Sequence, residues 1–115
     1  MMHSTERGVS EMKEEILTYL KEQVAGDDKE LLDSLYAEYC STAKEYVAAL
    51  KAALPAGDFP ELKKLAHTLK GNSAMVGDTA MNAHALAFEN GAKAEALATC
   101  QAEILELENL LKELD

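Results

Sequence analysis

A chain of 115 residues that is 48% hydrophobic and carries a formal charge of -10 has room for one core and is too apolar for a disordered tail. The acidic balance argues against nucleic acid as a partner, because binding that polyanion draws on many Lys and Arg contacts to phosphate. Apolar runs fall far short of the ~20 residues that span a bilayer, and the polar opening stretch lacks an apolar secretory region, so a cytoplasmic protein without membrane contact is expected.

Residues 1–10 read as an N-terminal tail and 11–115 as a single helical domain, since Ala, Leu, Glu and Lys dominate and no strand run competes. A first helix is predicted from about Glu11 to Val24 behind a Ser10 cap, with Met12, Ile16, Tyr19 and Leu20 on one stripe and Gly26 ending it. Asp27 and Glu30 have capping-box spacing and open a second helix over about residues 28–54, whose Leu32, Leu35, Tyr39, Ala43, Tyr46, Leu50 and Leu54 keep a 3-or-4 step. Pro55 and Gly57 stop it.

Asp58 with Glu61 repeats the capping spacing, and Pro60 fits a first turn whose N–H groups have no helical partner, so a third helix covers about 58–76. Gly77 breaks it. Asp78 can cap a fourth helix over about 78–90, with Gly91 suited to a left-handed C-terminal position. The fifth, over about 93–114, sets Leu97, Cys100, Ile104, Leu107, Leu111 and Leu114 on a coiled-coil-like seam. Short connections then make helices two to five an antiparallel up-down-up-down four-helix bundle with the additional N-terminal helix packed on it. A monomer is expected, with Ile16 and Leu20 hidden near the third helix and a ledge left beside it.

The third helix carries an anomaly. At ~100° per residue, Leu62, Leu65, Leu69 and Val76 point roughly 140 to 180° away from His67, so the imidazole faces solvent. Pro60, Lys63, Lys64, Lys70, Gly71 and Ala74 lie within roughly 60° of it by the same arithmetic. Between Leu62 and Val76 there are three lysines and no carboxylate, a local reversal of sign in an acidic chain. Gly71 costs a mid-helix position about 1 kcal/mol relative to Ala and removes the side chain that would stand over the ring. No serine, cysteine or carboxylate on this face makes a nucleophile-base pair, which leaves the histidine itself as nucleophile. Neutral imidazole attacks phosphorus, and neighbouring ammonium groups suit both that form and the phosphoryl charge gained afterwards. His3 and His84 carry no such surroundings; His84, beside Met81, Ala85 and Phe88, reads as half-buried at the core edge.

Cys40 and Cys100 read as small buried hydrophobes rather than a disulfide. With no Cys-x-x-Cys or His-x-x-x-His spacing, no metal or other cofactor is expected.

The run His67-Thr68-Leu69-Lys70-Gly71-Asn72-Ser73 followed by Gly77 resembles the His-x-Leu-Lys-Gly-Ser-Ser core of histidine-containing phosphotransfer (HPt) domains, and helical order and length agree over about Asp27 to Leu114. The resemblance implies a phosphorelay intermediate: His67 takes a phosphoryl group from a receiver-domain aspartyl phosphate and passes it to another receiver aspartate. It also implies that Lys70 assists the phosphoryl group and that Gly71 gives the receiver clearance. The receiver supplies the catalytic aspartate and Mg²⁺, so the chain is a carrier and substrate, not an enzyme. Its partners would be response-regulator receiver domains, including that of a hybrid histidine kinase, docking on Ala74 and Met75 with Lys63 and Lys64 at the rim. Met75 suits core packing equally well. Two positions depart from the family pattern: Asn72 for the usual Ser or Ala, and Asp78 for a frequent Ala, which adds negative charge near the end of the docking helix.

Two other readings carry different predictions. An HPt-fold binding module that is never phosphorylated would not require His67, Lys70 and Gly71 together. The dimerisation and phosphoacceptor region of a sensor kinase would need a following ATP-binding domain. The Met1-Met2 start favours a freestanding chain.

Overall fold

The computed structural model describes residues 13–114; the Ser10 cap, Met12 and the tail expected over residues 1–10 lie outside them. The described residues form five α-helices: α1 (Glu14–Leu20), continued by a π-helical turn over Lys21–Ala25, α2 (Lys29–Ala53), α3 (Phe59–Met75), α4 (Thr79–Lys93) and α5 (Leu97–Leu114). Helices α2 to α5 pack in a ring, α2 on α3, α3 on α4, α4 on α5 and α5 on α2, which is the all-α bundle expected of alternating long helices and short turns. No helix of the described residues is long and apolar enough to cross a membrane.

Side-chain caps set the helix starts. Asp28, rather than Asp27, opens α2 by accepting from the Leu31 amide at 3.1 Å, Asp58 opens α3 through Glu61 at 3.2 Å, and Asp78 opens α4 through Met81 at 3.2 Å. Each of these aspartates has a non-helical backbone that aims its carboxylate at the third residue on.

The buried set joins Ile16 and Leu20 of α1 to Leu32, Tyr36, Tyr39, Leu50, Leu62, Leu69, Met81, Phe88 and Leu107. Five residues of the expected stripes are looser: Tyr19 and Leu97 are exposed, and Leu35, Tyr46 and Leu111 are half-buried. Tyr36 and Val47, outside the expected α2 stripe, are fully buried, because α2 is covered on one side by α3 and on another by α5 and α1. Cys40 and Cys100 are both buried and are not joined in a disulfide.

Two glycine positions decide geometry. Gly91 does not end α4, which runs two residues further to Lys93; it lies buried inside the helix, where a Cβ would come within 2.8 Å of Thr99 Cγ2. Its missing side chain lets α5 approach, and the left-handed position falls instead on Glu95, at φ 55°. The α4 boundary therefore moves because packing between helices outweighs the local turn preference of glycine. Gly77, at φ 74°, takes the left-handed conformation after α3, and Tyr19 of α1 packs so closely on it that a Cβ would lie 2.5 Å from the Tyr19 Cβ.

That contact and three polar ones seat α1 on the α3–α4 turn. Glu15 accepts from the Thr79 amide and hydroxyl, both at 2.9 Å, and these bonds hold its carboxyl below the usual carboxylate range. Lys13 reaches Asp78 at 3.4 Å. Asp78 is buried and also accepts from the Tyr39 hydroxyl at 2.7 Å. The negative charge expected beside the docking helix is therefore enclosed by a cap, a tyrosine and a lysine, and adds little to the surface field. Burial, with Asp78 alongside, pushes the Tyr39 phenol well above its usual range.

Candidate functional site

His67 lies near the middle of α3 with 67% of its side chain exposed, while Leu62, Ala66 and Leu69 of the same helix are fully buried. Amphipathic periodicity alone accounts for that orientation. The ring is nonetheless held on one side. Its Nδ1 lies 3.0 Å from Oε2 of Glu89, a carboxylate of α4 whose side chain is only 5% exposed.

Glu89 gathers the cations of this face. Lys70 Nζ is 2.8 Å from its Oε1, and Lys93 Nζ is 4.0 Å from its Oε2. Burial pushes the Glu89 carboxyl upward, but hydrogen bonds from Lys70 and His67 and the charges of Lys70 and Lys93 outweigh it, so it titrates below the usual carboxylate range. It is ionised near neutral pH. The expected all-cationic patch thus has a buried anion at its base. No carboxylate occurs between Leu62 and Val76; this one arrives from the neighbouring helix, 22 residues along the chain from His67.

An ionised carboxylate can only accept, so Nδ1 must donate, and a neutral ring then carries its lone pair on Nε2. Nε2 is the nitrogen left to react on an exposed ring. Gly71, one turn on, has open space where a Cβ would stand. Lys63 and Lys64 are exposed, whereas Lys70 is drawn down onto Glu89 and its side chain is 27% exposed.

The helix under the ring is braced from within. Ser73, buried, donates its hydroxyl to the Lys70 carbonyl at 2.9 Å, and Asn82 of α4 donates its amide to the same carbonyl at 2.9 Å. The Asn82 bond ties α3 to α4 one turn from His67. Asn72, half-buried, turns away from the histidine into a shallow apolar groove of about 210 Å³ with Leu20, Tyr39 and Val76.

Ala74 and Met75 are both exposed, Met75 at 71%, so the core-packing reading of Met75 is set aside. With Tyr19 and Val24, which are also exposed, they give the ledge between α1 and the end of α3 an apolar surface. A second shallow groove, about 420 Å³, runs beside it between Thr18, Tyr19, Ala74 and Asn82. His84, by contrast, is half-buried and pairs with Glu103 of α5 at 2.7 Å, a contact that pins two helices. Among the described residues, no group of three His, Cys, Asp or Glu side chains is placed to hold a metal ion.

An exposed histidine oriented by a buried carboxylate, on a chain whose described residues form five α-helices, is accompanied by a match to the family model of the Hpt domain over residues 34–115. The chain belongs to the Hpt domain family. Comparison with curated proteins and with solved structures finds no match. Hpt domains serve phosphotransfer in two-component phosphorelays, interacting with receiver domains as carriers without catalytic activity of their own. The Hpt match begins inside α2 and takes in α3, α4 and α5, and therefore both His67 and Glu89.

Glu89 is the residue that reading the sequence for motifs passed over. A signal was present: Met81, Ala85 and Phe88 are buried on α4, and steps of eight and four from Met81 and Ala85 place Glu89 on the same apolar stripe. A carboxylate in a buried register needs a partner, and the unpaired cations of α3 are what it meets.

Proposed function

We propose that His67 is the phosphoacceptor of this Hpt domain, taking a phosphoryl group from a receiver aspartyl phosphate and passing it to another receiver aspartate as a cytoplasmic, monomeric carrier. The observation that carries this reading is the contact of His67 Nδ1 with buried Glu89 on a ring that is otherwise open to solvent. In the first step the Nε2 lone pair attacks phosphorus, the Nε2–P bond forms, and the aspartyl O–P bond breaks with its electron pair returning to the receiver carboxylate. The Nδ1 proton stays where it is. Attack makes the ring an imidazolium, whose positive charge faces the Glu89 carboxylate, so one fixed anion serves the acceptor as the charge develops. Reversal on a second receiver releases the neutral ring in the same tautomer.

Lys70 is placed to stabilise the phosphoryl group, and Gly71 to leave the approach clear. Ala74 and Met75 supply apolar contact to the docked receiver, and Lys63 and Lys64 attract the acidic pocket that receivers use for metal and phosphoryl binding. The positive rim should speed encounter more than it strengthens the complex, and its effect should fade with salt.

The test is transfer from a phosphorylated receiver. The wild-type chain should gain an acid-labile, base-stable adduct, and His67→Gln should gain none while keeping its helical content and melting behaviour, since the ring is mostly exposed and Lys70 still pairs Glu89. Labelling that persists in His67→Gln, or that disappears only when His84 is replaced, would reject the assignment, and a chain that binds receivers without ever being labelled would be a docking module instead.

A further inference from the structure

Glu89 faces two ammonium groups and the His67 ring, and of the three only Lys93 stands off. Lys70 and the His67 ring lie at 2.8 and 3.0 Å, whereas Lys93, one turn along α4 from Glu89, stands at 4.0 Å with 55% of its side chain exposed. In the unphosphorylated chain Lys93 is therefore the most distant of Glu89's partners. Phosphorylation changes the demand on Lys70. A phosphoryl group on Nε2 brings up to two negative charges to the exposed side of the ring, and Lys70 is the cation one turn away on the acceptor's own helix. Moving toward that group takes its ammonium off a carboxylate that is almost wholly buried, and a buried carboxylate stripped of its cation is strongly unfavourable.

We propose that Lys93 is a positioning residue for the phosphorylated state: it closes onto Glu89 as Lys70 leaves that carboxylate for the phosphoryl group on His67. The inference rests on His67 being the acceptor. Lys93 suits the replacement because it starts on the Oε2 side of Glu89, next to the ring nitrogen that is not phosphorylated, and because its long, largely exposed side chain needs only a small rotation to shorten the contact. The exchange keeps Glu89 paired in both states and lets one lysine serve two anions in turn. Without it, Lys70 would be divided between them and the adduct would be less well held.

The experiment loads the full chain with phosphoramidate as a small donor and follows the half-life of the phosphohistidine by ³¹P NMR. Lys93→Met should leave the melting temperature of the unphosphorylated chain unchanged, and should shorten the adduct's half-life by about threefold or more, the size of effect a partly exposed ion pair can exert. Lys93→Arg should restore it. In a Glu89→Gln background, which has no buried charge to keep paired, Lys93→Met should have no further effect. An unchanged half-life in Lys93→Met would overturn the exchange, and so would an equal shortening with and without Glu89, which would mean that Lys93 touches the phosphoryl group directly. Failure of His67 to be phosphorylated at all, from phosphoramidate or from a receiver, would overturn the carrier reading and the exchange with it.

Discussion

Helix α4 carries two buried carboxylates, Asp78 at its start and Glu89 three turns later, and they are held in opposite ways. Asp78 is bound by groups that cannot leave: the Met81 amide, the Tyr39 hydroxyl at 2.7 Å and, more loosely, Lys13. Glu89 has only side-chain partners, a histidine and two lysines, all reaching in from solvent. Equal burial therefore does not mean equal purpose. Fixed partners make a carboxylate into a joint between helices, whereas mobile partners make it a shared counter-ion whose allegiance can change.

Removing Asp78 should damage the fold and spare the chemistry. Asp78→Ala should cost about 2 to 4 kcal/mol of stability, from a lost cap and a buried tyrosine hydroxyl left without its acceptor, while molecules that still fold should accept phosphate at His67 normally. Denaturant unfolding alongside a phosphotransfer assay checks both halves. Glu89→Gln should do the reverse. Its stability should fall by less than that of Asp78→Ala, but transfer should slow about tenfold or more, roughly 1.4 kcal/mol of barrier, because a neutral amide neither dictates the ring tautomer nor faces the imidazolium with a charge. If Asp78→Ala slows transfer as much as Glu89→Gln, the two sites are not separable.

How much of this could be read from the chain divides along the same line. Features set within one helix were legible: the outward face of His67, the capping aspartates Asp58 and Asp78, the glycine gap at Gly71, and the stripe that buries Ile16 and Leu20. Features created between helices were not. Nothing local to residues 62–76 announces that Glu89 lies beneath the ring, nothing at Asp78 announces Tyr39, and Gly91 resembles a helix stop until α5 is seen against it. A cluster of like charges on one helix was a true observation with an incomplete meaning, because the balancing charge came from the next helix.

The two glycines sharpen the point at smaller scale. Gly71 meets open space, so Gly71→Gln should leave thermal stability unchanged or higher through better helix propensity, yet slow phosphotransfer about tenfold by standing over the approach to the ring. Gly91→Ala should do the opposite, costing about 1 to 3 kcal/mol by overpacking against Thr99 with transfer per folded molecule unchanged. Thermal melts paired with transfer rates separate the two.

The smallest expected effect concerns acid. The Glu89 carboxyl titrates below its ordinary 4.5 in the folded chain, so the stability it contributes is fully present above about pH 4.5 and is lost as pH falls through the lower folded value. The stability gap between wild type and Glu89→Gln should therefore persist at pH 5 and above and shrink below about 4.5, a trend that unfolding curves at several pH values would reveal. Glu15, held low by Thr79, contributes an acid dependence of the same sign that both proteins share.

The most direct measurement is ¹⁵N NMR of the imidazole in uniformly labelled chain, before and after loading from a phosphorylated receiver. Before loading, His67 should show a protonated Nδ1 donating to Glu89 and an unprotonated Nε2; after loading, phosphorus should be bonded to Nε2 with the Nδ1 proton retained. A phosphoryl group on Nδ1 of His67, on His84, or on no histidine at all would contradict the account.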